Sequence, residues 1–152
     1  MKFAHLIRIT VFSKDEDNVL NSLLSFFPFN LEKEKIKIEK TIADGFENKK
    51  IGVYKVTLTK EKHTNQFINS LIKRLDDEQK ALISKQLESR LDNELNLFLR
   101  FDKDELIKEN KLKLTDKGNC FHIKMSIAAF PAKREIALDI VRELFKTKPK
   151  SF

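Results

Sequence analysis

The sequence predicts an α+β fold: one antiparallel β-sheet with helices packed on one of its faces. Three observations lead there. Several segments alternate apolar and polar residues with period two, as strands do; others space their apolar residues at three and four, as helices do. Two of the strand segments also flank a short turn-forming stretch, which demands antiparallel pairing. The chain has 152 residues, 41% of them hydrophobic and 35% charged, which suits a single domain spanning residues 1–152 with a real core.

Taken in order, "FAHLIRITVF" (3–12) sets Phe3, His5, Ile7, Ile9 and Val11 against Ala4, Leu6, Arg8, Thr10 and Phe12. "SKDEDNVLNSLLSFFP" reads as a helix with Ser13 as N-cap and Glu16 completing a capping box. Val19, Leu20, Leu23, Leu24 and Phe27 are its apolar stripe, and Pro28 is its stop. Strands are expected at about 32–42 and 51–59, with Gly45 and Asn48 in the hairpin between them. Phe67, Ile68, Leu71, Ile72 and Leu75 mark a second helix. Asp76 with Gln79 looks like the cap of a third, running through Leu82, Ile83, Leu87 and Leu91. The last strands are 94–101 and 119–130, and the final helix buries Ile136, Ala137, Ile140, Val141, Leu144 and Phe145.

Strand alternation sorts residues by face without any knowledge of topology. Away from the buried rows fall Lys33, Lys35 and Lys37 in the second strand and Lys55 in the third. The fourth contributes Asn96, Phe98 and Arg100, the fifth His122, Lys124 and Ser126, and the first Arg8 with Phe12 near its end. Every expected strand thus brings a cation to the outer face, and Phe98 adds a stacking surface. Such a face suits phosphates and bases; a solvated lysine-rich face and a homodimer interface are the alternatives. The net charge of +7 and an isoelectric point near 9.4 fit a polyanionic partner.

In "AAFPAKRE" (128–135), Lys133 and Arg134 occupy the first turn of the last helix, where the helix dipole disfavours cations. Pro131 fits the first helical position, and no Ser, Thr, Asp or Asn precedes it as a cap. Unpaired amides and two cations then converge where an oxyanion would satisfy all of them; the alternative is a snorkelling lysine with Glu135 offsetting the dipole. A second polar cluster, "RFDKDE", sets Arg100, Asp102 and Lys103 at a strand end, with Asp102 either pairing with Arg100 or fixing its pose.

These motifs carry a resemblance. "ESRLDNELNLFLRFDKDELI" (88–107) with "LKLTDKGNCFHIKMSIAAFPAKREIALDIVRELF" (112–145) resembles an archaeal family of RNA-binding proteins, also described as predicted exosome subunits. Its members pair an R-x-D-K strand end, here Arg100, Asp102 and Lys103, with a C-terminal (F/Y)PAKRE, here Phe130 to Glu135. Asp104 and Glu105 depart from the glutamine and small residue that often follow in the family. The resemblance covers almost the whole chain. It implies a fold related to the ribosomal protein that binds 5S ribosomal RNA, and RNA as the partner.

Nothing in the sequence has the form of an active site. There is no Gly-rich phosphate loop, nucleophile elbow or Walker motif. His5, His63 and His122 lack metal-ligand spacing beyond the neighbouring Cys120–His122 pair. Asp92, Asp102 and Asp116 could in principle converge as a two-metal nuclease site, but each sits beside an expected turn, where aspartate is ordinary. The expectation is a non-catalytic RNA-binding protein with no cofactor or metal, contacting RNA through Lys133, Arg134, Arg100, Lys103, Lys124, Lys35, Lys37, Lys55 and Phe98, in RNA processing or ribosome-related assembly. The alternative is an oligomeric scaffold or accessory subunit of an RNA-processing complex. One cysteine and the lack of a membrane-spanning apolar run or signal peptide point to the cytoplasm.

Overall fold

In the computed structural model, which describes residues 1–14, 16–45 and 50–147, eleven elements alternate along the chain. They are β1 (Ala4–Ser13), α1 (Glu16–Leu24), β2 (Glu39–Asp44), β3 (Lys50–Leu58), α2 (Glu61–Arg74), α3 (Asp77–Lys85), α4 (Leu87–Arg90), β4 (Asn96–Asp102), α5 (Lys103–Glu109), β5 (Cys120–Ile127) and α6 (Arg134–Leu144). The five strands form one antiparallel sheet in the order β2-β3-β1-β5-β4. Residues 46–49 of the hairpin, Asn48 included, and the side chain of Glu16 in the expected capping box lie outside the described residues.

Register turns alternation into rows. Across the inner face run Leu58–Ile7–Met125–Leu97, Val56–Ile9–Ile123–Leu99 and Tyr54–Val11–Phe121–Phe101, all of them buried. Val19 and Leu23 of α1, Phe67, Ile68 and Leu71 of α2, Ile83 of α3 and Ala137, Leu138 and Val141 of α6 join these rows in one core. Each such side chain contributes roughly 1.5–3 kcal/mol by leaving water. Phe26, just past α1, packs its ring against Phe121 at 5.4 Å, Phe101 at 6.2 Å and Phe67 at 6.4 Å. No helix among the described residues is long and apolar enough to cross a membrane.

Four expectations are corrected. The strand expected at 32–42 begins only at Glu39: Asn30 Oδ1 accepts from the Lys33 amide, the Ile36 amide returns to Leu31 O, and Lys35 adopts φ 58°. Lys33, Lys35 and Lys37 therefore sit in a reversal before β2, not on its face. Helix α1 ends at Leu24, which is exposed, ahead of Pro28. The expected third helix breaks at Gln86 into α3 and α4, although its cap is in place, with Asp76 Oδ1 accepting from the Gln79 amide at 2.8 Å. The stretch after β4 holds a helix that periodicity did not reveal, α5, capped by Asp102.

Candidate nucleic-acid interface

The sheet face opposite the core carries two parallel rows: Thr57–Arg8–Lys124–Phe98, and Lys55–Thr10–His122–Arg100 with Glu39 of β2 at its far end. Apart from β2, whose members here are Glu39, Thr41 and Ala43, each strand places a cation on this face: Lys55, Arg8, Lys124 and Arg100. All four are half-exposed or exposed. The expected face is thus present from β3 to β4, and the expectation of a cation from the second strand is corrected.

Aromatic surface gathers at the β4–β5 end. The rings of Phe98 and His122 lie 5.5 Å apart, tilted by 36°. Burial first, and then the charge of Arg100, push the His122 pKa below its ordinary value, so the imidazole is neutral around pH 7 and extends the ring surface of Phe98. Phe12, at the other side of the face, is 52% exposed. Beside Phe98 and His122 opens a cleft of ≈ 600 Å³, lined also by Gln86, Arg90, Arg100, Thr115 and Asp116.

At the loop end, Lys35 and Lys37 line a smaller hollow with Glu39 and Thr57, beside the first row. Near them Glu34 is held below its ordinary pKa chiefly by its hydrogen bond from Lys62, 3.1 Å away.

The inverted charge at the last helix resolves into two separate roles. Helix α6 starts at Arg134, with Lys133 as N-cap and a cis Phe130–Pro131 bond before it, so Pro131 is not the first helical residue. Arg134 reaches back to α4: Nη1 donates to Leu91 O at 2.8 Å and Asp92 O at 3.2 Å, and Nη2 to Glu88 O at 2.8 Å. The Asp92 amide turns to Asn96 O instead of continuing the helix, which leaves the Glu88 carbonyl for the guanidinium. An arginine stands at the positive end of one helix because it serves the carbonyl end of another. Lys133 is exposed, and its ammonium has no partner among the described residues.

The R-x-D-K cluster is likewise divided. Asp102 accepts from the Glu105 amide at 2.9 Å as N-cap of α5, so it neither pairs with nor poses Arg100. Asp104 and Glu105 occupy the acidic first turn that the α5 dipole favours. Lys103 Nζ donates to Phe12 O, and burial lowers its pKa. The Arg100 guanidinium has no hydrogen bond or ion pair among the described residues.

Asp92 accepts from the amides of Glu94 and Asn96, so two of the three aspartates weighed as metal ligands already serve backbone turns. Among the described residues no group of three or more His, Cys, Asp or Glu side chains is placed to hold a metal ion. The Cys120 thiol is buried, and burial raises its pKa. Sequence reasoning missed Arg90 and the Asp116 loop, because nothing in the linear pattern brings them beside Phe98.

An open, basic, aromatic-bearing sheet face defines a class of nucleic-acid-binding α+β domain, and comparison with known proteins places the chain within it. A family model described as "RNA binding" matches residues 7–127, and the chain belongs to that family. It is 25% identical over 143 residues to the RNA-binding protein PAB1135 of Pyrococcus abyssi, covering 92% of each chain. Among solved structures it is similar to protein AF2318 from Archaeglobus fulgidus, with 26% identity, a TM-score of 0.80, and coverage of 93% of this chain and 99% of that one. It is also similar to Mth689, a DUF54 protein from Methanothermobacter thermautotrophicus, with 25% identity, a TM-score of 0.75, and coverage of 95% and 99%. At 12% identity, a UPF0201 protein from Methanococcus jannaschii shares the fold, with a TM-score of 0.59.

Proposed function

We propose that this protein binds RNA without catalysing a reaction on it, using the open face of its sheet in RNA processing or ribosome-related assembly. The observation that carries the reading is the pair of outer rows, which set Arg8, Lys124, Lys55 and Arg100 on four adjoining strands and bring the rings of Phe98 and His122 together at the β4–β5 side. Cations on adjoining strands follow a phosphate backbone, while the rings receive a base. Lys35 and Lys37 extend the track past Thr57, and Lys133 adds a phosphate contact beside the amides of the α6 N-terminus. Arg134 and Lys103 hold the frame. Membership in the RNA-binding family supports the same partner. In this reading the fold is kin to that of the 5S-rRNA-binding ribosomal protein, and the protein works in the cytoplasm, with the exosome as one candidate setting.

Filter binding to a structured RNA across a salt series tests it. Affinity is expected to fall steeply with salt. Arg8→Ala, Lys55→Ala and Lys124→Ala are each expected to flatten the log–log slope by about 1. A slope unchanged in all three variants overturns the interface.

One observation favours a second reading, that of an accessory subunit. Strand β2 is an exposed edge, and its Ile42 is 63% exposed, a surface suited to a second copy or to another protein of a complex. Light scattering of the protein alone separates them: a stable dimer that retains no RNA favours the scaffold.

A further inference from the structure

We propose that the cleft between α4, β4 and the 115–118 loop takes a single unpaired guanine of the bound RNA. The inference rests on the RNA-binding reading and adds to it a base-specific site. The cleft measures ≈ 600 Å³, within the range of small-ligand sites, and opens directly off the end of the phosphate track.

Three of its groups have complementary chemistry. Phe98, with the His122 ring beside it, offers the flat apolar surface on which an unpaired base stacks. Arg100 is exposed and its guanidinium has no partner among the described residues, so its planar fork is available to two adjacent acceptors. Asp116 is an exposed carboxylate that attracts Arg90 without pairing with it, leaving its two oxygens for donors. Guanine alone among the four bases presents both matching edges: O6 with N7 for an arginine fork, and N1–H with the N2 amine for a carboxylate.

The supports of these groups are built into the fold. Gln86 Oε1 accepts from Arg90 Nε at 3.0 Å and from Nη2 at 2.5 Å, fixing the guanidinium at the cleft wall. The Thr115 amide donates to Arg100 O at 2.9 Å, and Leu114 bridges to Phe101, so the loop carrying Asp116 is fastened to β4. A carboxylate beside a phosphate track repels the backbone. Its presence there is accounted for by base donors that compensate the repulsion, and a base lacking them meets an unpaired acid.

Fluorescence anisotropy with short labelled oligouridylates carrying one central guanosine, inosine, adenosine or cytidine provides the test. The guanosine probe is expected to bind about 10-fold more tightly than the adenosine one. Inosine, lacking the N2 amine, should fall between them. In Asp116→Asn, which keeps the Arg100 fork but loses the carboxylate, the ratio of guanosine to adenosine affinities should fall to about the inosine-to-adenosine ratio of the parent, with a thermal melt matching the parent. Equal binding of the guanosine and adenosine probes, or a preference undiminished in Asp116→Asn, overturns the guanine site. Salt-dependent binding without base preference, or retention of structured RNA but no oligonucleotide, overturns this site and leaves the RNA-binding reading standing. Loss of all RNA binding defeats both.

Discussion

His122 shows how one residue registers its surroundings. It lies between Thr10 and Arg100 in an outer row, and burial and the arginine together disfavour its imidazolium. Unfolded, the residue regains the ordinary histidine value of 6.5. The unfolded chain therefore binds the extra proton first as pH falls through the window below 6.5, and the stability that the neutral form contributes, complete above that window, declines within it. Bound phosphates act in the opposite direction by attracting the imidazolium. An NMR titration of the His122 ring should give a midpoint below 6.5 in the free protein and a higher one with RNA. RNA affinity should rise on acidification, and His122→Gln should abolish that rise. A midpoint unmoved by RNA would contradict the residue's place in the interface. Its outward direction was legible from alternation alone, since a period of two leaves one choice once Ile123 and Met125 are buried. Its lowered pKa was not, because that depends first on burial among neighbouring elements and then on Arg100 of the adjoining strand.

Between elements, Arg134 and Lys133 separate what the sequence had joined. Both stood out for the same reason, as cations at the positive end of a helix, and a linear reading offered one anion as the common cause. The cause for Arg134 lies more than forty residues upstream, in carbonyls exposed where α4 breaks off. That link was hidden because nothing in the linear pattern brings the start of α6 beside the end of α4. Urea denaturation should find Arg134→Ala less stable by about 1–3 kcal/mol, the cost of leaving polar groups without partners. Its salt slope for RNA should be unaltered. An Arg134→Ala protein as stable as its parent would remove the brace. The lysine run 33–37 misled for a different reason: alternating Lys and Glu read as an extended strand, but only Ile36 and Ile38 are apolar there, and Asn30 turns the chain first. Helix α5, seven residues in a charged stretch, is too short to announce itself by periodicity.

At the scale of the molecule, a net charge of +7 becomes informative through its placement. The order β2-β3-β1-β5-β4 seats β1 and β5, with Arg8, His122 and Lys124, in the middle of the sheet and puts the aromatic cleft at one edge. Which residues share a face could be read from the sequence. Which strands lie side by side could not, since β1 pairs with β5 across more than a hundred residues. The central claim is that RNA lies on the open face of this sheet, and an amide footprint tests it most directly. Isotope-labelled protein titrated with a structured RNA should show its largest shifts at Arg8, Thr10, Lys55, Phe98, Arg100, His122 and Lys124. Shifts confined to the exposed lysines of the helical side, such as Lys73 and Lys85, with the sheet face silent, would contradict the account.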